Sequence, residues 1–160
     1  MMRINRLDLT RYGKFTDKHI DFGPVEPGRP DLHIIYGPNE AGKSTALSAF
    51  LDLLFGIESR SRYDFLHPYS TMRIGAALDI GGVARELVRI KKPQNSLLGP
   101  GDQPIGEHLI LGELGGVERD VYCAMFSLDD DTLRKAARAS WPARVISDSF
   151  CFRQAQVWPH

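Results

Sequence analysis

The sequence predicts an α/β fold in which antiparallel β-hairpins accompany a strand, a glycine-rich loop and a helix. Two observations predict this class. Residues 73–92 contain alternating apolar and polar positions broken by a Gly-Gly turn, which is typical of a β-hairpin, and two further strands are indicated within 4–22. Between these regions, the glycine-rich loop at 37–45 separates a short apolar run from a segment whose apolar residues recur at helical spacing.

The first two strands are predicted at the amino end. Ile4, Leu7 and Leu9 indicate one strand, Ile20 and Phe22 indicate the next, and the segment Arg-Tyr-Gly-Lys-Phe at 11–15 joins them. Both strands precede the glycine-rich loop. Small kinases and GTPases place such a loop after their first strand, so this order argues against them.

The strand and the helix beside the loop are predicted from their apolar residues. Residues 32–36, Leu-His-Ile-Ile-Tyr, read as a short buried strand, and residues 44–55 read as a helix with one apolar face. That face consists of Leu47, Phe50, Leu51 and Leu54. The loop between them consists of Gly37, Pro38, Asn39, Glu40, Ala41, Gly42, Lys43, Ser44 and Thr45. It is a complete phosphate-binding loop, also called a P-loop or Walker A motif.

This motif predicts that the chain binds a nucleoside triphosphate. Successive backbone N–H groups of such a loop point at the α- and β-phosphates, and the following helix adds its positive end. Gly37 and Gly42 supply conformations and a close approach that a Cβ would block. We expect Lys43 to reach the β- and γ-phosphates and the Ser44 hydroxyl to complete the coordination of a Mg²⁺ ion.

The elements after this helix are predicted from the same patterns. Residues 58–70 form a polar segment with embedded aromatic residues. A β-hairpin runs through 73–80, turns at 81–82 and returns through 83–92. A Pro- and Gly-rich loop covers 91–106, and a helix covers 118–126. The helix residues expected to face the core are Val121, Tyr122, Met125 and Phe126.

Composition bounds the class of protein. The chain has 160 residues, 42% hydrophobic and 25% charged, which fits one soluble globular domain. Its 20 basic and 20 acidic residues give no net attraction to nucleic acid. No signal peptide is indicated, and the longest apolar stretch, 46–57, is interrupted by Asp52, so we expect a cytoplasmic protein without membrane contact. Cys123 and Cys151 indicate neither a disulfide framework nor a metal site.

Four segments together resemble a known family. They are the segment at 11–15, the loop at 37–45, Tyr-Asp-Phe-Leu-His-Pro-Tyr at 63–69 and Met-Phe-Ser-Leu-Asp-Asp-Asp-Thr-Leu at 125–133. They are similar to the N-terminal AAA domain of YhaN-type proteins, which are relatives of the SMC, SbcC, RecF and RecN ATPases. The resemblance covers residues 2 to about 135.

The resemblance implies a fold and a set of partners. The fold is the N-terminal half of an ABC/SMC-type ATPase head, a P-loop NTPase with an antiparallel β-hairpin layer. A long coiled coil separates that half from the C-terminal half of the head. ATP and Mg²⁺ are then the expected ligands. The partners implied for the longer protein are its own C-terminal lobe, a second head, and DNA in repair or chromosome maintenance.

Lys14 is a further candidate for the nucleotide site. The SMC relatives carry an early Arg or Lys beside the nucleotide, and the alignment puts Gly13 at that position, between Arg11 and Lys14. Lys14 is therefore either close to a phosphate or a solvated loop lysine, as most surface lysines are.

The segment at 125–130 has two interpretations. Four mainly apolar residues followed by carboxylates look like a Walker B strand, which would hold the shell of the Mg²⁺ ion. The alternative, which position within the family favours, is a helix end followed by a cap from Ser127 or Asp129. In that case the Walker B strand, the signature motif and the switch histidine lie far downstream in the longer protein.

Residues 136–160 depart abruptly from the family pattern. When the codons are shifted by one base, the same nucleotides can encode Gly-Gly-Glu-Ser-Ile-Leu-Ala-Ser-Gln-Gly-Asp-Leu, which resembles the family's continuation and its Q-loop. The codon of the Q-loop glutamine would overlap that of Arg144. We therefore predict two parts: residues 1–135 as the N-terminal lobe of the head, and 136–160 as a frameshifted tail without a native core.

Three functions follow from these observations. The first is the N-terminal part of an ATP-driven clamp acting on DNA. The second is a nucleotide-binding module without turnover, because the Walker B strand, signature motif and Q-loop are missing here; we expect no catalytic residue and no ATP hydrolysis from the chain alone. The third is a compact P-loop kinase or GTPase, which the β-hairpin after the helix and the lack of a guanine-reading motif disfavour.

Overall fold

A computed structural model describes residues 2–25, 27–28 and 30–126 of the chain. Its strands are β1 (Met2–Tyr12), β2 (Phe15–Asp21), β3 (Arg73–Ile80), β4 (Val83–Ile90) and β5 (Leu97–Leu98). Its α-helices are α1 (Lys43–Phe55), α2 (His108–Leu111) and α3 (Arg119–Phe126), and short 3₁₀ helices occupy Tyr69–Thr71 and Pro100–Asp102. The predicted mixture of α and β elements is confirmed.

The strands form one antiparallel sheet in the order β2-β1-β3-β4-β5. The predicted hairpin is present, with Ile80 opposite Val83, and the two strands predicted at the amino end also pair, with Tyr12 opposite Phe15. Gly81 and Gly82 form the second turn with φ of 60° and 83°. A two-residue turn of this kind needs positive φ at both positions, which glycine adopts without strain.

Helix α1 is the main helix packed with this sheet, and its predicted apolar face is partly wrong. The helix begins one residue before the predicted start, at Lys43, and Leu51 and Leu54 are buried as predicted. Leu47, however, is 41% exposed, while the small residues Ala46 and Ala49 are buried. Alanine contributes little to an apolar pattern, although its small side chain allows close packing, so the pattern misplaced the buried face.

The predicted strand at 32–36 does not form, which corrects the sequence analysis. These residues have no regular secondary structure, and Ile34 and Tyr36 are 77% and 90% exposed. A strand needs a neighbour for its backbone N–H and C=O groups. No strand among the described residues lies beside this segment, because the sheet order uses only β1 to β5.

The region predicted as a long loop at 91–106 contains some regular structure. β5 pairs with β4 through Leu97 and Leu98, both buried, and the 3₁₀ helix follows. The short helix α2 comes next and contributes the buried Ile110 to the core. The apolar pair at 97–98 was too short to distinguish from a loop by its pattern.

The chain divides into two compact units, residues 1–119 and 120–160. The described part of the second unit consists of the rest of α3. The predicted helix is confirmed, but its predicted burial is wrong, because Met125 and Phe126 are 55% and 67% exposed and Val121 is also exposed. Tyr122 is half-buried, and its ring contacts that of Phe126 at a centroid distance of 5.0 Å. Within the described residues, no helix is long and apolar enough to span a membrane.

Candidate phosphate-binding site

The glycine-rich loop leads directly into α1, and its backbone has two positive φ values. Glu40 has φ of 65°, and Gly42, the N-cap residue of α1, has φ of 103°. The positive φ of Gly42 favours glycine, and a Cβ there would lie 2.4 Å from Cζ of Phe15, so the Phe15 ring packs directly on this position. The structure therefore brings residues 37–45 together as one loop at the amino end of α1.

The amino end of α1 provides backbone donors. No side chain of the described residues caps the helix, and its first turn contains no acidic residue. The first intrahelical hydrogen bond is donated by the Ala46 N–H to the Gly42 carbonyl at 2.9 Å. The N–H groups of Lys43, Ser44 and Thr45 come before it, where a helix has no carbonyl of its own to offer. Together with the positive end of the helix dipole, these donors suit a phosphate group.

Lys43 lies across the loop that precedes it. Its side chain is exposed, and Nζ donates hydrogen bonds to the carbonyl oxygens of Gly37 at 2.7 Å and Pro38 at 2.8 Å. Both bonds are made to exposed backbone oxygens, which water can also satisfy. The ammonium group is therefore held at the loop and can exchange these carbonyls for phosphate oxygens.

Ser44 occupies the first turn of α1 with an exposed side chain. Mg²⁺ bound to a nucleotide takes most of its ligands from phosphate oxygens and water, so one protein hydroxyl suffices. Among the described residues, no group of three or more His, Cys, Asp or Glu side chains could hold a metal without a nucleotide. The exposed Ser44 hydroxyl thus fits a Mg²⁺ ion whose other ligands are phosphate oxygens and water.

Lys14 lies beside the loop, and its side chain is exposed. Its Nζ donates a hydrogen bond to the Glu40 carbonyl. The turn between β1 and β2 packs on the same loop, since a Cβ added at Gly13 would lie 2.6 Å from Cγ2 of Thr45. Whether Lys14 contacts a phosphate stays a prediction.

A buried polar network lies behind this turn, and sequence analysis missed it. Tyr12, fully buried, donates a hydrogen bond from its hydroxyl to Oδ2 of Asp52 at 2.6 Å. Its ring stacks on that of Tyr63 at 5.0 Å, and the Tyr63 hydroxyl hydrogen-bonds Oγ of Ser48 at 2.7 Å. The other Asp52 oxygen accepts a hydrogen bond from Arg119 at 2.7 Å. The only sequence signal was a carboxylate within an apolar helix.

Burial changes the acidity of this pair. Burial raises the pKa of the Asp52 carboxyl, although its bonds with Tyr12 and Arg119 act in the opposite direction. The pKa of the Tyr12 hydroxyl is also raised well above its usual value, first by burial and then by the Asp52 carboxylate. Tyr12 therefore keeps its proton and stays the donor at any ordinary pH.

The carboxyl end of α1 is held by basic side chains. Arg89, fully buried on β4, donates to the Leu53 carbonyl from Nε at 3.0 Å and from Nη2 at 2.8 Å. Its Nη1 contacts Oγ of Ser96 at 2.9 Å and Oε1 of Glu107 at 2.5 Å. These groups line an open cavity of about 760 Å³ at this end of the helix.

The segment that precedes the glycine-rich loop contacts β1 and the end of β2 through its first residues. Arg3 on β1 pairs with Asp31 at 2.8 Å, and this guanidinium lowers the pKa of the Asp31 carboxyl to about 2. The His33 ring meets the edge of the Phe22 ring at a centroid distance of 5.2 Å. Residues 31–33 are thus held beside β1 and the end of β2, whereas 34–36 extend into solvent.

Two sequence predictions fall outside the described residues. The segment read as either a Walker B strand or a helix end has Met125 and Phe126 at the end of α3, but its acidic residues at 129–130 are outside. The predicted tail at 136–160 is outside as well. Both stay predictions.

Comparison with known proteins identifies the family. The family model described as "AAA domain" matches residues 2–144 of the chain. A similar curated protein is "Uncharacterized protein YhaN" of Bacillus subtilis (strain 168), which is 28% identical over 137 residues. That alignment covers 80% of this chain and 13% of the Bacillus protein, so the chain spans only a small part of its relative's length. The resemblance predicted from the sequence is confirmed, and the chain belongs to this AAA-domain family.

Proposed function

We propose that this chain is a nucleotide-binding module that binds ATP with Mg²⁺ through residues 37–45. The observation that carries the proposal is the uncapped amino end of α1, which presents three backbone N–H groups beside Lys43. Membership of the AAA-domain family agrees with this function. The loop recognises phosphate rather than the base, so we expect little preference between ATP and GTP.

Each residue of the loop has a role in this proposal. Gly37 and Gly42 allow the backbone to approach the phosphates, while Pro38, Asn39, Glu40 and Ala41 carry the backbone around them. Lys43 exchanges its carbonyl contacts for the β- and γ-phosphates, and Ser44 coordinates Mg²⁺. The backbone N–H of Thr45 belongs to the donor end of the helix. Lys14, already at the Glu40 carbonyl, adds a second positive charge at the loop.

We also propose that the chain corresponds to the N-terminal lobe of a longer SMC-like ATPase. Two observations support this assignment. The relative from Bacillus is far longer than this chain. The apolar segment at 32–36 lies exposed, although segments of this composition normally occupy the buried centre of a sheet. A C-terminal lobe that supplies neighbouring strands would cover it. A second head and DNA are the further partners proposed for that longer protein.

Hydrolysis is assigned to the longer protein. Phosphoryl transfer is catalysed by positioned charges around the γ-phosphate, including a carboxylate that orients water. The described residues at the loop provide Lys43, Lys14 and Ser44, and the family resemblance implies that this carboxylate lies far downstream in the longer protein. We therefore propose binding without turnover for this chain.

Calorimetry with Mg-ATP tests the proposal. Lys43→Ala removes a charge-assisted contact worth about 1.5–3 kcal/mol and should weaken binding by about tenfold to a hundredfold. Lys92→Ala is the matched control, because Lys92 is an exposed lysine that lines the cavity at the opposite end of α1. We expect it to leave the affinity unchanged. Equal affinity of the wild type and Lys43→Ala would contradict the proposal.

The same titration with GTP separates the module from a compact GTPase or kinase. Similar affinities for the two nucleotides support a loop that recognises phosphates alone. A large preference for either base would show that a base-reading site exists elsewhere in the chain and would favour the compact enzyme.

A further inference from the structure

Tyr12 and Asp52 form a buried pair next to the phosphate-binding loop, although neither belongs to it. Tyr12 is the last residue of β1, and Asp52 lies on the third turn of α1, the helix whose first turn completes the loop. Their side chains are 0% and 2% exposed, and the 2.6 Å hydrogen bond joins them across 40 residues of sequence. The pair therefore fixes the end of β1 to α1.

The turn that follows Tyr12 makes the contacts with the loop. Gly13 lies against Thr45, the ring of Phe15 lies against Gly42, and Lys14 donates to the Glu40 carbonyl. Gly13 has φ of 57°, and its N–H donates to the Tyr63 carbonyl at 2.9 Å. The position of Lys14 consequently depends on a short turn that is anchored on one side by Tyr12.

The chemistry of the pair argues for a geometric role. A carboxylate buried in an apolar helix is costly, and replacing such groups by apolar residues often leaves stability unchanged or improves it. Asp52 accepts from two donors that arrive from different parts of the chain, Tyr12 and Arg119. A phenylalanine and a leucine would fill the same space but would not fix the direction of approach.

We propose that Tyr12 and Asp52 are positioning residues that hold Lys14 at the phosphate-binding loop. This inference rests on the proposed function, because it concerns the affinity of that same site for nucleotide. The hydroxyl-to-carboxylate bond fixes the turn on α1, and the turn fixes Lys14 over Glu40. Loss of the bond leaves the loop residues themselves intact and lets the turn move away from them.

The experiment is a double-mutant cycle on the full chain, with Mg-ATP affinity measured by calorimetry. Tyr12→Phe removes only the hydroxyl and keeps the ring on Tyr63. We expect it to weaken binding by about threefold to tenfold, within the usual range for coupled contacts. In a chain that already carries Lys14→Ala, the same change should alter the affinity by less than about twofold. Asp52→Asn is the second variant of the pair and should behave in the same way.

A control separates positioning from general destabilisation. Glu107→Gln weakens the contact with Arg89 at the opposite end of α1, far from the turn along the helix. It should lower the thermal stability without changing the affinity for Mg-ATP. Thermal unfolding of every variant shows whether it is folded at the temperature of the titration. If Tyr12→Phe is unfolded at that temperature, Asp52→Asn takes its place in the affinity measurement.

The outcomes are distinct. An unchanged affinity in folded Tyr12→Phe or Asp52→Asn would overturn the positioning role and leave the proposed function standing. A loss that is equally large with and without Lys14 would also overturn it, since the pair would then act by another route. Absence of Mg-ATP binding by the wild type would overturn the proposed function and this inference together.

Discussion

The two ends of α1 differ in whether side chains of the protein hydrogen-bond to their backbone groups. At the amino end, no side chain of the described residues caps the helix, and the nearby lysines Lys14 and Lys43 donate hydrogen bonds to loop carbonyls. At the carboxyl end, Arg89 donates to the carbonyls of Leu53 and Leu54, and Arg119 donates to that of Gly56 at 3.3 Å. One end keeps its donors available, and the other has its acceptors occupied.

This difference shows how one helix can serve both binding and stability. Unsatisfied N–H groups at a helix start attract anions, and unsatisfied carbonyls at its end attract cations. The chain supplies its own cations to the carboxyl end, two of them from β4 and the start of α3. At the amino end, no side chain of the described residues caps the helix, and its first turn contains no acidic residue. The helix is therefore fixed to the sheet at one end and open to a ligand at the other.

The largest expected loss of stability comes from a substitution that removes the hydrogen bonds at the carboxyl end of α1. Arg89→Met keeps much of the volume of the side chain but removes every hydrogen bond to α1, and it leaves Glu107 without the buried cation that it contacts. Glu107 is 44% exposed and can be hydrated, so the main cost comes from the buried carbonyls of Leu53 and Leu54, which lose their donor at about 1–3 kcal/mol each. We expect a loss of that size in the free energy of unfolding, measured by urea denaturation.

The matched control lies on the same strand. Arg85 is an exposed residue of β4, and Arg85→Met should change the free energy of unfolding by less than about 0.5 kcal/mol. Equal effects of the two substitutions would show that the contacts of Arg89 do not stabilise the carboxyl end of α1.

A smaller effect depends on pH and concerns Asp52. The pKa of its carboxyl is higher in the folded than in the unfolded state, because burial disfavours the charged form. Its stabilising contribution to the free energy of unfolding is therefore complete below the unfolded pKa and is lost as pH rises through the folded pKa. From this group alone, the free energy of unfolding should fall over that window, by at most about 1.4 kcal/mol per pH unit. Urea denaturation across acidic pH measures it.

Asp52→Asn isolates this contribution, because the wild type also contains carboxyls that act in the opposite sense. Asp31 and Asp102 have lowered pKa values, each through an arginine partner, so they favour the folded state as pH rises. The free energy of unfolding of the wild type minus that of Asp52→Asn should therefore decrease as pH rises. A difference that grows with pH would mean that Arg119 and Tyr12 outweigh burial at this carboxyl.

The sequence predicted the amino end of α1 better than the carboxyl end. The glycine-rich loop before α1 and the hairpin at 73–92 follow from local rules, since glycine spacing and period-two alternation depend on neighbouring residues. Arg89 and Asp52 could not be predicted in this way. A charged residue is normally exposed, and their burial depends on partners far along the chain, such as Leu53 for Arg89. Lys14 could be named as a candidate, but its contact with Glu40 required the fold.

The smallest expected effect concerns residues 32–36, which the sequence predicts as a strand and which have no regular secondary structure. Ile34 is 77% exposed, so Ile34→Thr, which keeps the β-branch, should change the free energy of unfolding by less than about 0.5 kcal/mol. Leu53→Ala on the buried side of α1 is the contrasting variant and should cost about 2–5 kcal/mol. Urea denaturation of both variants measures the difference. If Ile34→Thr costs as much as Leu53→Ala, this segment is already a covered strand, as the sequence alone predicted. If it costs almost nothing, the apolar side chains at 32–36 contribute little to this chain by itself, which is the result expected if their partners belong to the longer protein.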